Sequence, residues 1–153
     1  MTQKYNHKEQ ERFDQFWEHF PLDLLIRRDR SKARKALTMA LVGDYETKFA
    51  QINGQHDEAV SQARETLEVA DTKYRKYEDV LEEGLSLNLL SEKLYFRTRI
   101  ELAGAIAVAT MKVGEAVHDH AIKHKIKEDI PYKNHKEASI AHYKLAHHFR
   151  KKD

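Results

Sequence analysis

The sequence predicts an all-α fold, a helical bundle built on a long antiparallel helical hairpin. The strongest sign is an apolar spacing that alternates steps of three and four residues, at Val60, Ala63, Leu67, Ala70, Tyr74, Tyr77 and Leu81. A second stretch, residues 100–117, is rich in small apolar side chains and carries charge only at Glu101, Lys112 and Glu115. With 5 Gly and 2 Pro, the chain has too few turn residues for an all-β fold.

The length and composition fit one helical domain. The chain has 153 residues, of which 41% are hydrophobic and 34% charged. Such a ratio suits helices that bury one stripe and leave a wide charged face in water. We therefore expect one domain over 1–153, with N-terminal helices and a basic cluster in 1–52, the hairpin in 55–128, and a basic, His-rich helix in 132–153.

Two helices are predicted before the hairpin. The first covers about 6–19 and ends before Pro21, since proline cannot continue a helix and restricts the residue before it. Its apolar side consists of Phe13, Phe16, Trp17 and Phe20. The second begins at a cap on Asp29 or Ser31 and runs to about Ile52, with Gly43 as a weak point inside it. Its expected buried stripe is Leu37, Leu41, Tyr45, Phe49 and Ile52.

The hairpin follows the break at Asn53-Gly54. Its first helix is predicted over about 56–83, ended by Gly84, and its second over about 89–128, starting near Leu89 or Ser91. Because the second helix is small and apolar on most sides, we expect it at the centre of the bundle, and we expect a homo-oligomer to supply further neighbours.

The chain closes with one more predicted helix. Ile130-Pro131 should stop the second hairpin helix, and a last helix is predicted over about 134–150. Its apolar residues are Ile140, Tyr143, Leu145 and Phe149.

The net charge of +2 hides two basic zones around an acidic helix. Residues 27–35 carry six basic and one acidic residue, 53–83 carry nine acidic and four basic residues, and 112–153 carry ten Lys and Arg and seven of the 10 His. A helix N-terminus also attracts anions, so we expect the basic zones to bind nucleic acid or an acidic protein. The alternative is that the first zone pairs with the acidic helix. The candidate binding residues are Arg27, Arg28, Arg30, Lys32, Arg34, Lys35, Lys144, Arg150, Lys151 and Lys152.

The histidines suggest a metal site only weakly. His120 and His124 are four apart on a helix, and Glu115 and His118 have the Glu-x-x-His spacing of di-iron bundles. Such a site needs carboxylates from facing helices and usually a second Glu-x-x-His, and neither is present. We therefore expect no metal and no cofactor, and a metal-binding bundle using His118, His120 and His124 is the further alternative.

No enzyme motif occurs in the chain. It lacks a Gly-rich phosphate loop, a nucleophile elbow and a His-Glu-x-x-His sequence, so we expect no catalytic residue and no small-molecule substrate. There is no Cys, the first 12 residues are polar and charged, and no apolar run has the length of a membrane span. The expected location is the cytoplasm, away from membranes.

One segment has a local resemblance. Phe13-x-x-Phe16-Trp17-x-x-Phe20-Pro21, followed by Lys32-Ala33-Arg34-Lys35-Ala36-Leu37, resembles a module of phage and prophage replication proteins of the replisome-organiser or helicase-loader type. Gly43-Asp44-Tyr45-Glu46 falls where that module often has a Gly-x-x-x-Glu turn. The resemblance covers 13–52, has Phe20 in place of the usual Tyr, and lacks the accompanying winged-helix region. It implies a mobile-element context and a role near DNA or a replication protein.

Together these observations predict a non-enzymatic accessory protein of phage or mobile-element type. Its expected partner is nucleic acid, or a DNA-replication or defence protein. The alternative is a coiled-coil adaptor or inhibitor that acts only through protein–protein contacts.

Overall fold

The chain forms an all-α bundle in a computed structural model, which confirms the predicted fold class. The structure describes residues 22–52, 56–123 and 130–152, together with Lys8, Glu11 and Asp14, which are helical. The other residues of the predicted helix at 6–19, including its aromatic side chains, lie outside this set. The helices are α1 (Leu22–Ile26), α2 (Arg30–Val42), α3 (Tyr45–Ala50), α4 (His56–Ser86), α5 (Glu92–Lys123) and α6 (Ile130–Lys152).

The second hairpin helix, α5, is the central element, as predicted. Helices α2, α4 and α6 all pack against it, and the α5–α6 pairing is the most extensive in the part of the chain described. Every residue of α5 from Ile100 to Ala107 is buried. Three helices of the same chain thus cover α5, so the reason for expecting additional neighbours from a second copy is removed, and homo-oligomerisation stays a prediction.

The seam of α4 is buried where the spacing predicted it. Val60, Ala63, Leu67, Ala70, Tyr74 and Leu81 are buried, and Tyr77 is half-buried. Two polar contacts fix the antiparallel direction of α4 and α5: Arg99 Nη1 lies 2.8 Å from Glu78 Oε2, and the Tyr95 hydroxyl donates to Glu82. At roughly 1.5 Å per residue, the 31 residues of α4 span about 46 Å.

Helix α6 is also antiparallel to α5. The Ser139 hydroxyl, fully buried, donates to the Ala107 carbonyl at 2.7 Å. Nearer the end of α6, the Phe149 ring lies 6.3 Å from the Phe96 ring, and the Arg99 guanidinium lies 4.6 Å above it. The last turns of α6 therefore lie beside the first turns of α5.

The prediction of one helix up to Ile52 is wrong, because the chain breaks at Gly43. Helix α2 ends at Val42, and Gly43 has φ 59° and ψ −145°, a conformation that is essentially restricted to glycine. Asp44 then caps α3: its carboxylate accepts from the Thr47 amide at 3.4 Å and from the Thr47 hydroxyl at 2.7 Å. A glycine expected to weaken a helix instead divides it in two.

The predicted stop of α4 at Gly84 is also wrong. The helix continues to Ser86 and closes with a Schellman motif, in which the Leu89 amide donates to the Gly84 carbonyl at 2.9 Å and Asn88 takes φ 60°. Gly costs helical stability without ending a helix, and Asn88 tolerates the left-handed conformation that ends this one. Helix α5 then begins after Ser91, whose hydroxyl accepts from the Leu94 amide, near the predicted start.

Ile130-Pro131 lies in the first turn of α6. Helix α6 starts at Ile130, earlier than the predicted residue 134. Proline is accommodated in a first helical turn because no hydrogen bond is required there from its nitrogen. The predicted end of the preceding helix near Glu128 lies outside the described residues. Within those residues, no helix is both long and apolar enough to cross a membrane.

Candidate nucleic-acid interface

A sharp turn between α1 and α2 presents two consecutive arginines to solvent. The Asp29 amide donates to the Leu24 carbonyl at 2.8 Å and the Arg28 amide to the Leu25 carbonyl at 3.3 Å, the hydrogen bonds of a Schellman motif. Arg28 occupies its left-handed position with φ 59°. Arg27 and Arg28 are both exposed.

Two arginines of α2 are held by one buried carboxylate on α5. Glu101 is 3% exposed. Its Oε2 accepts from Arg30 Nε at 3.0 Å, and its Oε1 accepts from Arg34 Nε at 3.1 Å and lies 2.9 Å from Arg34 Nη2. Both oxygens of the carboxylate are thus used, and they fix the direction of both guanidiniums.

Gly104 provides the space in which Arg34 lies against α5. A Cβ atom at this position would be 2.5 Å from Cζ of Arg34, closer than real contacts allow. The Arg34–Glu101 pair therefore depends on a residue without a side chain one turn further along α5.

The alternative that the first basic zone pairs with the acidic helix is wrong for Arg30 and Arg34, whose partner Glu101 belongs to α5. Lys32 remains well exposed, with its Nζ 3.9 Å from Asp29 Oδ2. An exposed pair at that distance contributes little to stability, so Lys32 is available to a ligand. Lys35 is also exposed, at the edge of a groove between α2, α3 and α5.

Arg97 on α5 joins this site, although it is absent from the residues predicted from the sequence. It lines a small hollow together with Arg28, Arg30 and Glu101. The available signal was the Arg97-Thr98-Arg99-Ile100-Glu101 segment, where charged residues enter an otherwise apolar helix. The place of Arg97 in this site depends on the packing of the α1–α2 turn beside α5, which the segment alone does not specify.

The C-terminal basic zone lies at the same end of the bundle. Lys144, Arg150 and Lys151 are exposed on α6, and the side chain of Lys152 lies outside the described set. Phe149 connects this end of α6 to Phe96 and Arg99 at the start of α5, and Arg97 lies between those two residues in the chain. The structure therefore brings the ends of the two basic zones to one end of the molecule, which the sequence order does not suggest.

The aromatic residues of this zone are occupied by packing. Phe149 is half-buried beneath Arg99, and Tyr143 is also half-buried. The expected aromatic contribution to nucleic-acid binding by stacking is thus available only in part, and exposed cations form most of the candidate surface.

The histidines considered for a metal site are distributed without a ligand cluster. His118 is half-buried and His120 is buried, whereas His124 lies outside the described residues. Among the residues described, no group of three or more His, Asp or Glu side chains is arranged to hold a metal ion.

Burial and carboxylate neighbours raise the pKa of two tyrosines at the α4–α5 interface, Tyr74 and Tyr95. Burial, together with the nearby Glu78 and against the opposing Arg99, raises the pKa of Tyr74 to about 12. Burial and the hydrogen bond to Glu82 likewise raise the pKa of Tyr95 to about 12. Both hydroxyls therefore stay protonated at neutral pH and act as donors.

Comparisons with known proteins found no relative of this chain: no family model matches it, and neither a curated protein nor a solved structure does so.

Proposed function

We propose that this protein is a non-enzymatic accessory protein that binds nucleic acid through the phosphate backbone. The observation that carries the proposal is the meeting of the two basic zones at one end of the bundle. Arg27, Arg28 and Lys32 from the α1–α2 region and Arg150 and Lys151 from α6 are exposed there. Cations grouped on one surface raise the local potential and release counterions when they meet phosphates.

The acidic helix α4 packs against α2 and α5, and its last turns reach the same end of the bundle, where Glu78 lies 2.8 Å from Arg99. Glu65 and Glu68 are exposed on the part of α4 farther from that end. The exposed cations are thus grouped at one end, which they share with the last turns of the acidic helix, although the net charge is only +2. A uniform distribution of the same charges would attract nucleic acid far less.

The local resemblance to phage replication proteins gives the proposal a context. Its basic element, Lys32-Ala33-Arg34-Lys35, lies on α2 beside the candidate surface. We therefore extend the proposal to a mobile-element protein that acts near DNA, alone or together with a replication or defence protein.

A binding comparison between two charge-matched variants tests this proposal. The interface variant is Lys32→Gln/Lys35→Gln/Arg150→Gln, which draws on both basic zones; the control is Arg64→Gln/Arg75→Gln/Lys76→Gln, which removes three exposed cations from α4. Binding to single-stranded DNA, duplex DNA and RNA is measured by fluorescence anisotropy at low salt. The interface variant should bind about tenfold or more weakly than the wild type. The affinity of the control variant should stay within about twofold of the wild-type affinity.

Two outcomes would overturn the proposal. One is that the wild-type protein binds none of the three nucleic acids at low salt. The other is that the two variants lose affinity equally, since binding would then follow net charge and not this surface.

A protein-interaction module is the second candidate, and a groove between α2, α3 and α5 favours it. The groove has a volume of about 550 Å³ and contains Val42, Val108 and Met39, the last of which is 64% exposed. Lys35 and Lys112 lie at its edge, so the fitting partner is an amphipathic helix with acidic residues. This candidate predicts no affinity for nucleic acid and a partner that is lost on Met39→Glu but retained by Arg150→Gln, since Arg150 does not line the groove.

A further inference from the structure

A small hollow at the basic end has the size of a single phosphate group. It lies between the α1–α2 turn and α5, with an apolar floor of Leu24, Leu25, Ala33 and Ile100. Its volume is about 70 Å³. At roughly 10–15 Å³ for each water-sized group, this space holds about five heavy atoms. A nucleoside would not fit, but a phosphate group would.

Among its described lining residues, the hollow carries more positive than negative charge. Arg28, Arg30 and Arg97 line it, and Glu101 is the one carboxylate among its described lining residues. Glu101 pairs with Arg30 and with Arg34, which lies outside the hollow, so its charge is already shared between two guanidiniums. The remaining charge favours an anion that enters the hollow.

Arg97 is the member that most needs a partner. Its side chain is half-buried, and its Nε atom is buried without a hydrogen-bond partner among the described residues. Leaving a buried donor unpaired costs stability, and more so for a charged group. A ligand oxygen in the hollow would satisfy this donor.

The other two arginines are presented to the same space. Arg30 uses Nε on Glu101, and its side chain is 52% exposed, which leaves the terminal nitrogens for a ligand. Arg28 is held at the rim in a left-handed conformation with φ 59°, which is costly for any residue with a side chain. Such conformations persist at sites where function retains them.

We propose that this hollow binds a terminal phosphate monoester at the end of a nucleic-acid strand. A monoester offers three free oxygens and a charge near −2, which matches a hollow lined by three arginines better than an internal diester with two free oxygens. This inference rests on the proposed nucleic-acid binding and specifies which part of the strand the basic end recognises.

The test compares one oligonucleotide with and without a terminal phosphate. Fluorescence anisotropy should show that the wild-type protein binds the phosphorylated strand, at its 5′ or 3′ end, about tenfold more tightly than the hydroxyl strand. Arg97→Gln should reduce this preference to about twofold or less while its affinity for the hydroxyl strand stays close to that of Lys93→Gln. Lys93, exposed one turn before Arg97, is the matched control because it loses the same charge outside the hollow. Arg97→Lys should be intermediate, since it keeps the charge without the planar fork.

Equal wild-type affinity for the phosphorylated and hydroxyl strands would overturn the inference and leave the proposed function intact, whereas no binding of either strand would overturn the proposed function itself. The wild-type comparison needs no variant, so it decides the question even if Arg97→Gln is destabilised. Inorganic phosphate at matched ionic strength should compete with binding of the phosphorylated strand and leave binding of the hydroxyl strand unchanged. If inorganic phosphate bound as tightly as that strand, the ligand would be free phosphate and the assignment to a strand end would be wrong.

Discussion

At the scale of single residues, Arg28 combines a conformational cost with an exposed charge. It ends α1 in the left-handed region with φ 59°, and Asn88 ends α4 in the same way with φ 60°. Asn tolerates this conformation, whereas a long side chain such as that of Arg gains nothing from it. Of two equivalent turns, one thus uses a residue suited to the left-handed conformation and the other uses an exposed arginine.

Arg28→Gly should therefore stabilise the fold and weaken binding. We expect the free energy of unfolding to rise by about 0.5–1 kcal/mol, because the left-handed penalty exceeds the entropy that Gly adds to the unfolded chain. Asn88→Gly, the matched control, should change stability less. Urea denaturation measures the stability of both variants. A lower free energy of unfolding for Arg28→Gly would contradict the prediction and show that the Arg28 side chain stabilises the turn.

A second residue-scale prediction concerns Gly104 and Arg34. Gly104→Ala should displace the Arg34 guanidinium, since the new Cβ would lie 2.5 Å from Cζ of Arg34. In an Arg34→Met background, Gly104→Ala should raise the free energy of unfolding by up to about 1 kcal/mol, because Ala has a higher helix propensity than Gly. The double-mutant cycle should thus give a coupling of about 1–3 kcal/mol in urea denaturation. Additive effects would mean that Arg34 moves aside without losing its contact to Glu101.

At the scale of helices, the periodicity predicted the long elements and failed at their ends. The seam from Val60 to Leu81 established α4 and its buried face, because burial of one stripe leaves a repeating pattern. The helix predicted to pass through Gly43 and the end predicted at Gly84 are wrong, and α6 begins before the predicted residue 134, since a helix end depends on the local backbone conformation and on the packing of the next residues in the chain. The same proline signal can end one helix or begin the next, and only the tertiary structure distinguishes the two.

Gly43→Ala tests the break between α2 and α3. Nothing lies within 4 Å of a Cβ at this position, so the cost comes from the backbone alone. With φ 59° and ψ −145°, we expect a loss of about 1–3 kcal/mol in the free energy of unfolding. Thermal or urea denaturation measures this, and unchanged stability would mean that α2 and α3 readily merge into the single helix that the sequence predicted.

The docking of α6 on α4 should depend on pH through His142. Its ring lies 5.3 Å from the Tyr74 ring, and burial lowers its pKa from 6.5 although Asp71 and Glu78 oppose this. Since the unfolded chain takes up the proton first, stability should fall as pH drops below about 6.5 and level off beneath the lowered pKa. His142→Phe should remove this part of the loss in urea denaturation, and the exposed His147→Gln should leave it in place. Equal pH profiles for the wild type and His142→Phe would contradict the prediction.

At the scale of the whole molecule, most residues of the candidate site could be predicted from the sequence, but their arrangement could not. Arg27, Arg28 and Lys32 belong to a dense basic run, and the density of charge along a chain can be counted from the sequence. Arg97 and the role of Glu101 could not be predicted, because they depend on the packing of the α1–α2 turn against α5. The approach of Arg150 to the same end likewise results from the antiparallel α6, which no local pattern specifies.

The salt dependence of nucleic-acid binding by the wild-type protein tests the central claim most directly. If phosphates are held by the exposed cations of the basic end, a plot of log K against log salt should have a slope of about −3 to −5 between about 50 and 300 mM salt. Fluorescence anisotropy with a short labelled oligonucleotide provides this slope. Affinity that stays constant over that range, or no binding at its lower limit, would contradict phosphate binding by the basic end.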